Sequence, residues 1–110
     1  MDVQNSTDKK EFYAVCENGE KATLKYNKWN DTNTLELVAT FVPPSQRGKN
    51  IGELLLKEAL RYADQYRLKI EPTCPYVKSW FAKHPGESKR LAQERPAPTT
   101  PDRQQSEKLP

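Results

Sequence analysis

Between Val42-Pro43-Pro44 and a strongly helical run stands Ser45-Gln46-Arg47-Gly48-Lys49-Asn50, a turn that is basic and carries a glycine. A helix start requires one capping residue, and Asn50, with Glu53 three residues on, would supply it as a capping box. Arg47, Gly48 and Lys49 exceed that need. The first N–H groups of a helix lack intrahelical partners and, with the macrodipole, favour an exposed negative charge by about 0.3–1 kcal/mol. Gly48 permits close backbone approach or positive φ, and the two cations add contacts, so the turn suits an anion, phosphate above all. A solvated basic loop with an ordinary cap accounts for the same residues, and on local pattern alone both readings stay open.

The other residues with chemistry to offer are few. Cys16 and Cys74 lie far apart and without metal-ligand spacing, which points to two free thiols, no disulfide framework and no metal. His84 is the one histidine. It precedes Pro85 at the end of a short helical pattern, where a positive charge suits the helix dipole, and it reads as a helix C-terminal residue rather than a base.

What must position these residues is a small domain. The chain has 110 residues and a formal charge of +3 that no segment concentrates, so nucleic acid is not the expected partner. No apolar run approaches the roughly 20 residues of a membrane span, and the polar start MDVQNSTDKKEF lacks the apolar core of a secretory signal. No membrane partner is expected, and the expected location is cytoplasmic. Residues 1–10 are polar and expected to be disordered. Residues 86–110, rich in Pro, Gln, Ser and charge, are expected to form a second disordered, polar tail, because they cannot bury enough surface to offset ordering entropy.

Residues 11–85 change period in an informative order. Runs 11–16 and 21–27 flank Glu17-Asn18-Gly19-Glu20, and Asn-Gly between alternating runs predicts a hairpin. A third strand, 34–41, is expected to place Leu35, Leu37, Ala39 and Phe41 on one face and Glu36, Val38 and Thr40 on the other. From Ile51 the period is helical, with Ile51, Leu54, Leu55, Ala59, Tyr62, Ala63 and Tyr66 as the predicted apolar stripe. A short strand at 67–72 and a helix at 76–84 complete an α/β (α+β) chain of order β-β-β-α-β-α. Its β-α-β unit should be a right-handed parallel crossover, which puts the basic turn at the C-terminal end of a strand.

At VPPSQRGKNIGELLLKEAL the sequence resembles the acetyl-CoA-binding motif of the GNAT N-acetyltransferase superfamily, Gln/Arg-x-x-Gly-x-Gly/Ala, with Arg47, Gly48, Lys49, Asn50, Ile51 and Gly52 in that frame. Together with ATFVP before it and IEPTCPYVKSWFAKHP after it, residues 11–85 resemble the short single-domain branch called YjdJ-like or N-acetyltransferase domain-containing. The resemblance implies a compact GNAT-like fold and acetyl-CoA as co-substrate, without a metal. It further implies a pyrophosphate resting on the amides of Arg47 to Gly52, and a thioester between two parallel strands. Thr40, Phe41 and Val42 would line one side of that opening, and Glu71, Pro72, Thr73 and Cys74 the other.

The same resemblance assigns Tyr76 the protonation of the departing CoA thiolate, with aromatic packing on the sheet as its plain alternative. Cys74, beside the acyl site, is a candidate relay or redox-responsive thiol, or a small packed side chain. Two positions depart from the pattern. Asn50 replaces the first motif glycine, and Ala39 and Phe41 stand where relatives have His and sometimes Glu, which removes candidate bases. The expected function is acetyl transfer to an amine of a protein, peptide, polyamine or small metabolite. A catalytically weak CoA-binding sensor or interaction module is the alternative. Glu36 and Glu71 are noted as carboxylates that could attract a cationic amine.

Overall fold

The computed structural model describes residues 2–92. Alternating apolar positions in residues 11–41 build an antiparallel ladder of β2 (Glu11–Val15), β3 (Lys21–Trp29) and β4 (Thr34–Phe41), in which Phe12, Ala14, Ala22, Leu24 and Tyr26 point into the core. The Asn18-Gly19 turn closes the predicted hairpin, with Gly19 at φ +87° and its N–H on the Cys16 carbonyl at 2.9 Å. β5 (Lys69–Pro72) pairs parallel with β4, Thr34 opposite Lys69 through Leu37 opposite Pro72, as the β-α-β crossover requires. With β1 (Gln4–Ser6) at its edge, the result is a five-stranded mixed sheet in the order β1-β2-β3-β4-β5.

The fifth strand corrects an expectation. Residues 1–10 were expected to be disordered, yet β1 (Gln4–Ser6) pairs antiparallel with β2. Its polar composition conceals two anchors: the Tyr26 hydroxyl donates to Asn5 Oδ1 at 2.8 Å, and Val3 packs against the core. A second correction falls at the other end. Pro85–Arg90 forms a 3-10 helix, Leu91 bridges Ile70 in parallel, and the Ala92 N–H donates to the Ile70 carbonyl at 2.7 Å. The ordered domain therefore runs past residue 85, because Leu91 covers the free edge of β5 and packs on the core. The remainder of the expected tail, 93–110, lies outside the described residues.

The crossover helix α1 (Ile51–Tyr66) buries Ile51, Leu55, Leu56, Ala59, Leu60 and Ala63 against the sheet. Its stripe is rotated from the expected one. Leu56 and Leu60 are inside, whereas Leu54 and Tyr66 are about half exposed and Tyr62 lies at the rim, its ring edge-on to Phe12. Helix α2 (Pro75–Lys83) starts on Pro75, whose missing N–H costs nothing at the first helical position, and buries Val77, Trp80 and Phe81.

β4 also differs from simple alternation. Lys25 pairs with Ala39 but Tyr26 with Leu37, so Val38 is an extra residue, a β-bulge. The bulge inverts the faces beyond it. Ala39 and Phe41, expected on the same face as Leu35 and Leu37, are exposed while those two are buried, and Thr40, expected on the opposite face, pairs with buried Leu24 and turns to the side of the core.

Candidate active site

β5 ends its register at Leu37, while β4 continues to Phe41, so the two parallel strands separate over the last residues of β4. The junction is fixed by two contacts from Cys74: its N–H donates to the Leu37 carbonyl at 2.8 Å, and its thiol lies 3.3 Å from the Thr40 hydroxyl. That second contact exists only because the bulge at Val38 turns Thr40 inward. Pro43 and Pro44 then end the strand, and Pro44–Gln46 makes one 3-10 turn before α1.

The basic turn is braced from two directions. The Arg47 Nε–H donates to the Val42 carbonyl at 2.9 Å, tying the loop to the end of β4. From the β2–β3 hairpin, Asn18 Nδ2 donates to Ser45 Oγ at 3.1 Å and Ser45 donates to Glu20 at 2.9 Å. Gly48 has φ +84°, and a Cβ there would meet nothing within 4 Å, so its glycine is required by backbone conformation and the space above it is open. Asn50 is left-handed too, at φ +61°, and its side chain makes no cap hydrogen bond. The expected capping box does not form: a capping residue needs extended backbone, and this one is spent on turning the chain.

Thr40, Phe41, Val42, Gln46, Arg47, Gly48, Asn50, Ile51, Gly52 and Tyr76 line one cleft of about 440 Å³. Most of the residues selected from the sequence thus come together. Lys49, Glu71, Pro72, Thr73 and Cys74, also named from the sequence, do not line it: Lys49 turns back to Gln46 (3.3 Å) and toward Glu17 (3.9 Å), and Cys74 is buried under the junction with its thiol on Thr40. Gln46 was not selected, although it stands in the same basic turn and is buried. On the other side of the opening, Thr73 donates to Glu36 at 2.5 Å, and the Trp29 indole donates to the same carboxylate at 3.0 Å. Among the described residues no group of three or more His, Cys, Asp or Glu side chains could hold a metal ion, and no helix is long and apolar enough to cross a membrane.

Tyr76 enters the cleft from the first turn of α2. Its ring lies on Gly52, where a Cβ would stand 3.3 Å from Tyr76 Cζ and 3.5 Å from its hydroxyl. Burial raises the Tyr76 pKa above the ordinary tyrosine value, and the negative charge of Glu53 and the nearby Cys74 raise it further. The phenol is therefore kept protonated. His84 caps the C-terminus of α2, its ring stacked on Trp80 at 4.1 Å and its Nδ1 2.7 Å from the Trp80 carbonyl, which fixes Nδ1 as the protonated nitrogen.

A strand that parts from its parallel neighbour, followed by a glycine-bearing turn at a helix N-terminus, agrees with the family comparison. Residues 11–91, well over half of the chain, match the family described as GCN5-related N-acetyl-transferase. That family uses acetyl-CoA as co-substrate, and its match spans β2 through Leu91, including every residue of the cleft. The chain belongs to the GCN5-related N-acetyltransferase family.

Proposed function

We propose that the protein transfers the acetyl group of acetyl-CoA to an amine, with the pyrophosphate held by the Arg47–Gly52 loop. The observation that supports this reading is the convergence of Thr40 to Val42, Arg47, Gly48, Asn50 to Gly52 and Tyr76 on one cleft, with open space above a left-handed Gly48. The backbone N–H groups of the first helical turn and the Arg47 guanidinium are suited to phosphate oxygens. We further place the chain in the short YjdJ-like branch, on the strength of its IEPTCPYV and HP stretches. The cytoplasm is its proposed compartment, consistent with two free cysteines.

In this reading acetyl-CoA supplies an activated thioester carbonyl. The amine nitrogen forms a bond to that carbonyl carbon as the carbon–sulfur bond breaks. Tyr76 gives its hydroxyl proton to the departing thiolate, the attacking nitrogen loses a proton to solvent, and the phenolate regains one from solvent. An amine of pKa near 10 is mostly protonated at neutral pH, so turnover should rise with pH as the neutral form accumulates. Thr40 and Cys74 close the base of the opening; Cys74, buried and engaged with Thr40, serves packing rather than a covalent relay. The acceptor is a protein, peptide, polyamine or small-molecule amine.

One observation favours a second reading, a CoA-binding module with little turnover. Among the described residues, the side chains lining the cleft include no carboxylate or imidazole to act as a base. Titration calorimetry with CoA and acetyl-CoA tests what both readings share: micromolar binding that is lost in Gly48→Pro is expected, and no binding at millimolar CoA would remove both. Release of CoA on addition of amines then separates them. Full turnover in Cys74→Ser is expected, whereas its loss with CoA binding intact would assign the thiol a covalent role.

A further inference from the structure

Tyr76 does not stand alone on α2. Trp80 follows it by one helical turn on the same face, and its indole N–H donates to Glu53 Oε2 at 3.1 Å. Trp80 is itself immobilised, 8% exposed, with His84 stacked on one face and the Phe81 ring edge-on at 5.1 Å. Glu53 is next in sequence to Gly52, the residue on which the Tyr76 ring rests. The hydrogen bond and the ring contact are thus adjacent links between the first turn of α1 and the face of α2. They also form a wall. On one side lies the cleft lined by Gly52 and Tyr76, and on the other a groove of about 420 Å³ lined by Glu53, Lys57, Trp80 and His84 among others.

We propose that Glu53, tethered by the indole of Trp80, is the positioning residue that holds the Tyr76 phenol on Gly52 in the cleft. The proposal rests on Tyr76 as the acid of the transfer, but makes its own claim about what keeps that acid in place. A carboxylate that accepts an indole N–H is fixed in direction, so its charge acts steadily on the neighbouring phenol. Among the described residues, few charged or titratable groups act on the Tyr76 hydroxyl. Glu53 on α1 and Cys74 in the turn before α2 both disfavour the phenolate, while Arg47 lines the same cleft as Tyr76 from the loop. β4 contributes only Thr40, Phe41 and Val42. Lys57, one turn beyond Glu53, lines the groove on the far side.

The test is a pH titration of the full chain with ¹³C-labelled tyrosine, in which Tyr76→Phe identifies the resonance among five tyrosines. In wild type Tyr76 should titrate above the ordinary 10.0. Glu53→Gln keeps an acceptor for the indole and removes the charge, and should lower that titration. Trp80→Phe keeps a ring and removes the donor, and should shift it in the same direction. An unchanged titration in Glu53→Gln overturns the proposal, and an unchanged one in Trp80→Phe overturns the tether. Activity separates the underlying reading: the alkaline limb of kcat/KM should move with the Tyr76 titration. If the titration moves in Trp80→Phe and the limb does not, the tether stands, and it is the role of Tyr76 as acid that fails.

Discussion

Asn50 shows how one side chain can be read for the wrong property. Asparagine before a helix suggests a cap, but the residue sits at φ +61° with no cap hydrogen bond, so what the site uses is tolerance of the left-handed region. Asn50→Ala should therefore cost about 1 kcal/mol in urea unfolding, whereas Asn50→Gly should leave stability the same or higher. An equal loss in both would restore a role for the amide. Tyr26 makes a second prediction at this scale. Its pKa is raised by burial and by Tyr62, so the folded state holds the phenol proton more tightly than the unfolded chain does. Stability from this group is full below the unfolded value near 10 and is lost as pH climbs toward the folded value. Alkaline unfolding followed by circular dichroism should show that decline, and Tyr26→Phe should flatten it.

At the scale of elements, α1 and β4 place the site. The orientation of α1 is testable because two neighbouring leucines have opposite fates. Leu56 is fully buried and Leu54 is 43% exposed. Leu56→Ala should cost about 2–5 kcal/mol, and Leu54→Ala about 0.5 kcal/mol or less, by denaturant titration. The expected stripe included Leu54 and left out Leu56. A helix with apolar residues at Leu54, Leu55, Leu56, Ala59 and Leu60 offers more than one apolar face, and only packing against the sheet selects which is buried. In β4 the bulge at Val38 decides whether Thr40 meets Cys74. Strict alternation cannot reveal it, since an extra residue in one strand is defined by its register against another.

For the whole molecule, the question is where the domain ends. Leu91 and Ala92 close the β5 edge, and Arg90 pairs with Asp64 and with Glu87, each at 2.6 Å. A chain ending at Pro85 should melt several degrees below one ending at Ala92, because it exposes that edge and part of the apolar cover over Ile70; equal melting temperatures would make residues 86–92 dispensable. The ion pairs are partly exposed and contribute little to that difference.

Local chemistry determined much of this protein. The Asn-Gly hairpin, the proline stop after β4, the helix from Ile51 and the anion-suited turn are legible in sequence because each depends on residues within a few positions of one another. Those signals, with the family resemblance they carry, also select most residues of the cleft. What only the tertiary structure decided depends on distant partners. Asn5 becomes a strand residue through Tyr26, Thr40 reaches Cys74 through a register shift, Leu91 belongs to the domain through Ile70, and Glu53 meets Trp80 across two helices. No local pattern encodes such pairs, since each forms only when the packed core brings separate segments to a hydrogen-bond or van der Waals distance.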